Sequence, residues 1–148
     1  MDDVSIEKRH RGTSTLISTV GRKLESQRRA ILTRRGMKNT EYAVLVSLSH
    51  QGRTKTELAA EIGVPRSHIG LMMKDLVEKE LVVVTSGEEV VRNRVYALSA
   101  AGFRLQEELQ EELLAMDRQL FEGLSELELF QVEGVLERIQ RRIPYVVR

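Results

Sequence analysis

Basic and hydroxyl side chains lie on both sides of a short glycine-containing turn at residues 63–65. Thr54 and Lys55 precede the turn, and RSHIGLMMK, residues 66–74, follows it. Arginine can donate paired hydrogen bonds to guanine O6 and N7 in the DNA major groove, and Ser67 or His68 can bind a base edge or a phosphate. The chemistry that these residue types offer is the binding of nucleic acid, with Arg66 as the guanine donor.

Catalysis and metal binding have less support in the sequence. His10, His50 and His68 are far apart, and no HExxH, GxSxG, Walker or GxGxxG pattern occurs. The acid pairs within residues 107–112 are immediate neighbours on one helix, and the chain has no cysteine for a thiolate site or a disulfide. We therefore expect no enzyme, no metal and no cofactor.

Residues 66–80 fit an amphipathic helix. Pro65 suits the first helical position, where its missing N–H costs nothing. Gly70 costs such a helix about 1 kcal/mol relative to alanine, so we expect another backbone, of protein or nucleic acid, to approach it closely. Each polar residue taken alone is also compatible with an ordinary solvated face. The predicted buried stripe is Ile69, Met72, Met73 and Leu76, and the predicted exposed face is Arg66, Ser67, Gly70, Leu71 and Lys74.

A second short helix precedes this one. Thr54 and Glu57 have the spacing of a capping box, and Gly63 ends the helix after about two turns. Only Val64 separates Gly63 from Pro65. The two helices therefore form a helix-turn-helix, in which the second helix enters the major groove with its N-terminal residues.

The flanking segments are also helical. Leu16, Val20, Leu24 and Ile31 predict a helix from Thr13 to about Arg34, with Gly36 as its end. Residues 41–49 predict a short buried helix. After residue 99, the apolar spacing predicts a long helix over 100–121, and a capping box of Ser125 and Glu128 opens a last helix.

Residues 81–98 predict a β-hairpin, because β-branched runs at 81–84 and 90–98 flank the turn formers Ser86 and Gly87. Two readings of its arginines remain open. The hairpin closes the core and leaves Arg92 and Arg94 in solvent, or it is a wing whose tip arginine enters the narrow minor groove.

Composition and charge bound the remaining possibilities. The chain has 148 residues, 41% of them hydrophobic, and a net charge of +1. Residues 1–38 hold ten basic against four acidic residues, and residues 99–140 hold three against ten. We expect a single domain without a signal peptide, located in the cytoplasm, whose surplus of apolar helix surface packs on a second copy. The fold class is mainly α with a winged helix.

The order of these elements, with ELA, IGV, Leu76, Leu81–Val82 and LSAAG in place, resembles the MarR family of winged-helix transcriptional regulators over nearly the whole chain. The resemblance implies dimerisation helices at 1–36 and 100–148 and a winged helix-turn-helix at 37–99 with its wing at about 81–98. It further implies a homodimer on a pseudo-palindromic operator of double-stranded DNA, commonly released by a small ligand. The sequence departs from the family at Val90, where the wing motif has aspartate, and at Glu80, where glycine is frequent.

Two sets of site residues follow. The effector pocket implied by the resemblance lies near four residues of the first two helices, and arginines 9, 11 and 22 favour an anionic aromatic ligand there. A winged helix used only for protein–protein interaction is the alternative, and it would not depend on Arg66 or Arg92. The predicted DNA contacts are Thr54, Lys55, Arg66, Ser67, His68, Gly70, Leu71, Lys74, Arg92 and Arg94, and the predicted ligand contacts are His10, Thr13, Ile17 and Tyr42.

Overall fold

The computed structural model describes residues 3–86 and 94–144. The described part of the chain contains six α-helices and a two-stranded antiparallel sheet, which confirms a mainly α winged-helix fold. It divides into two compact units, Met1–Leu113 and Leu114–Arg148. The elements are α1 (Asp3–Arg34), α2 (Asn39–His50), α3 (Lys55–Ile62), α4 (Arg66–Glu78), β1 (Val82–Ser86), β2 (Val95–Leu98), α5 (Ala100–Leu120) and α6 (Glu126–Arg142).

Helix α1 begins at Asp3, so the predicted start at Thr13 is wrong. Apolar periodicity reports burial, and residues 3–12 bury almost nothing, so the sequence pattern could not show their helix. Thr15 and Thr19, within the helix, each donate a hydrogen bond from the hydroxyl to the carbonyl four residues earlier. The helix ends at Gly36, whose φ of 69° is left-handed as a glycine stop requires.

The helix-turn-helix forms as the sequence predicts, with one shift. The Thr54 hydroxyl accepts from the Glu57 amide at 3.2 Å, and the Glu57 carboxylate accepts from the Thr54 amide at 2.9 Å. Gly63 ends α3 with a φ of 79°. Pro65 is the residue that caps α4, not its first helical residue, and its carbonyl accepts from the amides of His68 and Ile69.

The core of the first unit forms where α4 packs against α3 and β1. The predicted stripe of α4 is buried, and the helix α2 that was predicted for 41–49 is confirmed with one to two more residues at each end. Nine side chains are almost completely buried in this core: Val44, Leu45, Leu48, Leu58, Ile69, Met73, Leu76, Val82 and Leu109.

The described part of the hairpin pairs Val82 with Leu98 and Val84 with Tyr96, and a bulge lies between Val84 and Ser86. Ser86 is the last residue of β1, so its predicted place in the turn is wrong. Residues 87–93, with Val90 and Arg92, lie outside the described residues. A backbone bridge between Arg53 and Tyr96, with N–O distances of 3.0 and 2.8 Å, joins β2 to the start of α3.

The chain returns from the hairpin to α5 through a close contact at Leu81. The Ser99 hydroxyl accepts from the Gly102 amide at 3.0 Å and donates to the Glu80 carbonyl at 2.7 Å. A Cβ on Gly102 would lie 2.1 Å from the Leu81 carbonyl oxygen, so only glycine fits. These contacts explain the serine and the glycine of the LSAAG sequence.

The second unit contains the end of α5 and α6. Ser125 caps α6 with the predicted capping box, in which its hydroxyl accepts from the Glu128 amide at 3.1 Å and Glu128 accepts from the Ser125 amide at 2.8 Å. None of the α6 residues is buried. In the part of the chain that the structure describes, no helix is long and apolar enough to cross a membrane.

Candidate nucleic-acid interface

Two adjoining depressions form a concave surface beside α4. One, of about 310 Å³, is lined by Lys55, Arg66, Ser67 and Gly70. The other, of about 360 Å³, also includes Lys55 and Gly70 and reaches Lys74 and Arg94. We call this surface the basic groove. Its remaining lining residues are Met73, Val77, Glu78, Val84 and Tyr96.

The helix-turn-helix and the hairpin position the cations of the basic groove. Lys55 is the first residue of α3, directly after the N-cap Thr54, and its Nζ lies 5.7 Å from the centre of the Tyr96 ring. A cation over an aromatic face at this distance is attracted by the ring quadrupole. Tyr96 is buried and fixed by its bridge to Arg53. The hairpin thereby holds Lys55 in place beside α4.

The outward face of α4 is exposed as predicted. Arg66, Ser67, Leu71 and Lys74 are exposed, and Gly70 is half-buried. A Cβ on Gly70 would meet no described residue within 4 Å, so no contact within residues 3–86 and 94–144 requires a glycine there. The close approach expected at Gly70 stays a prediction.

Four other predicted DNA contacts differ from these in their position or in the bonds that they already make. His68 is exposed but lies about 90° around the helix from the middle of the buried stripe, at the side of the face and not in the basic groove. The Thr54 hydroxyl is used in the capping box. Arg94 is half-buried and lines the groove, whereas Arg92 lies outside the described residues. The contacts of all these residues with DNA stay predictions.

Two polar clusters support the elements behind the groove. At the end of α4, a hydrogen bond to Asp75 at 2.9 Å raises the pKa of Lys79. The Lys79 ammonium also lies 4.0 Å from Oε2 of Glu41, a carboxylate on α2 that is only 5% exposed. Because an uncompensated buried charge is costly, this cation stabilises the position of α4 on α2.

The second cluster joins α2, α3 and the hairpin. The Ser47 hydroxyl donates to Glu61 at 2.7 Å, and Arg53 lies 3.6 Å from the same carboxylate oxygen. Since the Arg53 backbone pairs with Tyr96, the cluster links the helix-turn-helix to the hairpin. Sequence reasoning missed Arg53 and Tyr96. Their signal was position alone: one precedes the capping box, and the other lies two residues after Arg94.

The predicted ligand residues do not come together within one chain. Tyr42 lies on α2, where burial raises the pKa of its phenol against the opposing effects of the Arg28 charge and a hydrogen bond with Gln106. His10 is 18 residues before Arg28 on the same helix, which is about 27 Å along its axis. Thr13 and Ile17 are exposed on α1. The four ligand contacts therefore stay a prediction. Within one chain, His10 lies far from Tyr42.

Among residues 3–86 and 94–144, no three or more histidine or carboxylate side chains are grouped so that they could hold a metal ion.

The fold is shared with solved transcription regulators. A MarR-family transcriptional regulator from Rhodococcus sp. RHA1 is 27% identical, with 88% of this chain and 93% of that chain covered and a TM-score of 0.71. CouR from Rhodococcus jostii RHA1, solved with p-coumaroyl-CoA, is 28% identical over 92% of this chain and 95% of its own, with a TM-score of 0.69. A mutant of MepR from S. aureus bound to an oligodeoxyribonucleotide is 20% identical, with 87% of this chain and 96% of that chain covered and a TM-score of 0.63. No protein-family model and no curated protein matches the chain.

The fold and its exposed basic helix define a winged helix-turn-helix protein of the kind that regulates transcription. Within that class, the chain is similar to solved MarR-family transcriptional regulators, which supports the resemblance that its sequence predicts.

Proposed function

We propose that this protein is a sequence-specific DNA-binding repressor that binds a pseudo-palindromic operator as a homodimer and is released by a small-molecule ligand. The observation that carries the proposal is the basic groove, in which Lys55, Arg66, Lys74 and Arg94 surround the start of an exposed helix. Among the described residues, Glu78 is the one acidic side chain that lines either depression, against these four cations.

The placement of the cations fits a DNA duplex. Phosphate contacts position a protein on DNA, and side chains near the N-terminus of the second helix contact base edges. Arg66 opens α4 and is suited to guanine, while Lys55 and Arg94 lie on the flanking elements and are suited to phosphates. The MepR mutant bound to an oligodeoxyribonucleotide supports this use of the fold.

Helix α1 supports the homodimer. Of its 32 residues, only Ile31 and Leu32 are buried. Leu16 is 63% exposed, and together with Ile17, Val20 and Leu24 it forms one apolar stripe on the helix surface. An apolar stripe of this length is stabilised by burial against a partner, and the commonest partner is a second copy related by a two-fold axis.

Helix α6 gives the same indication independently. Leu127, Phe130 and Leu136 are exposed, Phe130 to 72%, although the helix carries a strong apolar side. The acidic block of residues 99–140 is then suited to the solvated side of these helices.

Release by a ligand rests on the relatives and on the predicted pocket residues. CouR was solved with p-coumaroyl-CoA, an anionic aromatic thioester, and such a ligand would suit the basic first helix of this chain. We further propose that the protein has no catalytic activity and acts in the cytoplasm of a bacterium, where the operator DNA is.

Selection of binding sites from a pool of random duplexes, followed by a salt series, tests the function. We expect a preferred two-fold symmetric sequence whose affinity falls steeply with salt, because neutralised phosphates release counterions. Arg66→Ala should weaken the selected duplex by about tenfold or more, the worth of a paired guanine contact. Arg29→Ala removes the same charge from the exposed surface of α1 and is the matched control, with unchanged affinity.

An affinity that is equal for all duplexes and independent of salt would contradict DNA regulation. It would favour the protein–protein interaction module instead.

A further inference from the structure

Leu71 is the exposed apolar residue of α4 that the core does not explain. Its side chain is 74% exposed, whereas Ile69, Met72, Met73 and Leu76 of the same helix are buried. At 100° per residue, Leu71 lies about 150° around the helix from the middle of that buried stripe. The side chain therefore points almost directly away from the core.

The neighbours of Leu71 on the helix surface are the polar groups of the basic groove. Ser67 precedes it by four residues and Lys74 follows it by three, the spacings at which helix side chains lie side by side. A single exposed leucine is ordinary on a protein surface. This one, however, lies on the exposed face of α4 beside two residues of the basic groove, at the edge of the surface that the proposed function applies to the bases.

The major groove offers one apolar group on the base edges, the C5-methyl of thymine. Its donors and acceptors match Arg66 and Ser67, and a leucine among them matches only the methyl. We infer that Leu71 is a specificity-determining residue that contacts the methyl group of a thymine in each half-site. The inference rests on the proposed function and gives one of its residues a particular base.

The spacing along α4 adds a second expectation. Leu71 follows Arg66 by five residues, about 7.5 Å along the helix axis. That distance corresponds to about two base-pair steps of 3.4 Å. The selected half-site should hold a guanine for Arg66 and, about two steps away on either strand, a thymine for Leu71.

Replacement of thymine by deoxyuridine tests the inference, because it removes the methyl group and leaves every hydrogen-bonding group of the base unchanged. In the duplex selected for the full chain, each thymine is replaced in turn. In each half-site, we expect one particular thymine to matter. Its replacement in a single half-site should weaken wild-type binding about fourfold, the worth of one buried methyl group, and its replacement in both half-sites should weaken binding about fifteenfold. The Leu71→Ala variant, shortened beyond reach, should bind both duplexes with equal affinity.

The Lys74→Ala variant is the matched control on the same helix face. It should bind more weakly on both duplexes and keep the full deoxyuridine effect, since the charge of a lysine interacts with the duplex whether or not the thymine methyl is present. A deoxyuridine effect that is absent from the wild type, or that Leu71→Ala retains, overturns the inference and leaves DNA regulation standing. If selection yields no preferred duplex, both the proposed function and the inference fail.

Discussion

Two glycines show how differently the same residue can be required. Gly102 has the Leu81 carbonyl where its Cβ would be, so the fold itself excludes any larger residue. Gly70 has open space at the same position, on a helix that alanine would stabilise. Because no described residue needs a glycine at position 70, we expect the reason for it in what binds the basic groove.

Replacing Gly70 by alanine should therefore change stability and binding in opposite directions. We expect Gly70→Ala to raise the free energy of unfolding by about 1 kcal/mol, the helix propensity difference, as measured by denaturant unfolding. The affinity for the selected duplex should fall, because the added methyl keeps the helix backbone away from DNA. A variant that is more stable and binds equally well would show that nothing approaches Gly70.

At the scale of elements, three helices of the first unit are followed by a residue in the left-handed conformation, and the residue type differs among them. Gly36 and Gly63 occupy the left-handed position after α1 and α3. After α4, Glu80 occupies it with a φ of 60°, and the amides of Glu80 and Leu81 bind the carbonyls of Val77 and Leu76 at 3.0 Å. These bonds form a Schellman motif, in which glycine is the preferred residue. Glu80, where the MarR family frequently has glycine, therefore strains the backbone at the end of α4 and does not change the fold.

Glycine at this position should stabilise the protein. A left-handed conformation costs a residue with a side chain about 1–2 kcal/mol, and glycine removes that cost. The greater conformational freedom of glycine also stabilises the unfolded chain, which offsets part of the gain in stability. We expect Glu80→Gly to raise the free energy of unfolding by roughly 0.5–1 kcal/mol, measured by thermal or denaturant unfolding.

Glu80→Ala is the matched control, since it removes the same exposed carboxylate and keeps the Cβ. It should leave stability within about 0.5 kcal/mol of the wild type. An equal gain for both variants would trace the effect to charge instead of backbone strain.

At the scale of the whole molecule, charge and apolar surface are distributed for assembly with partners. The chain is nearly neutral, yet its first 38 residues are basic and residues 99–140 are acidic. Helices α1 and α6 expose apolar side chains that the described chain does not cover. The proposed second copy would cover this surface, and a two-fold dimer would present two basic grooves to two half-sites.

A charge on the stripe of α1 should disrupt the dimer. We expect Leu16→Asp to weaken self-association by on the order of a hundredfold or more. The change removes a leucine that the dimer would bury, and it introduces an unpaired charge in both copies. Sedimentation over a range of protein concentrations measures it. Ser18→Asp, an exposed position about 200° around the same helix, should leave the dimer intact. A wild-type chain that sediments as a monomer would contradict the homodimer.

Local patterns were enough to predict much of the fold and part of the candidate site. The capping boxes at Thr54 and Ser125, the glycine stop at Gly63 and the stripe of α4 were all predicted, because each depends on residues within one or two turns of helix. The order of elements then indicated a helix-turn-helix. The start of α1 was missed because helix that buries nothing leaves no apolar pattern.

The sequence by itself determined which side chains lie on the exposed face of α4, since helical periodicity and one buried stripe fix the direction of every residue. Only the tertiary structure decided what lies beside that face. The bridge from Arg53 to Tyr96 and the packing of Lys55 over the Tyr96 ring join residues more than forty positions apart, and no local rule relates them. The separation of Tyr42 from His10 was likewise decided there, because distance along a helix becomes a distance in space only when the helix is known to be continuous.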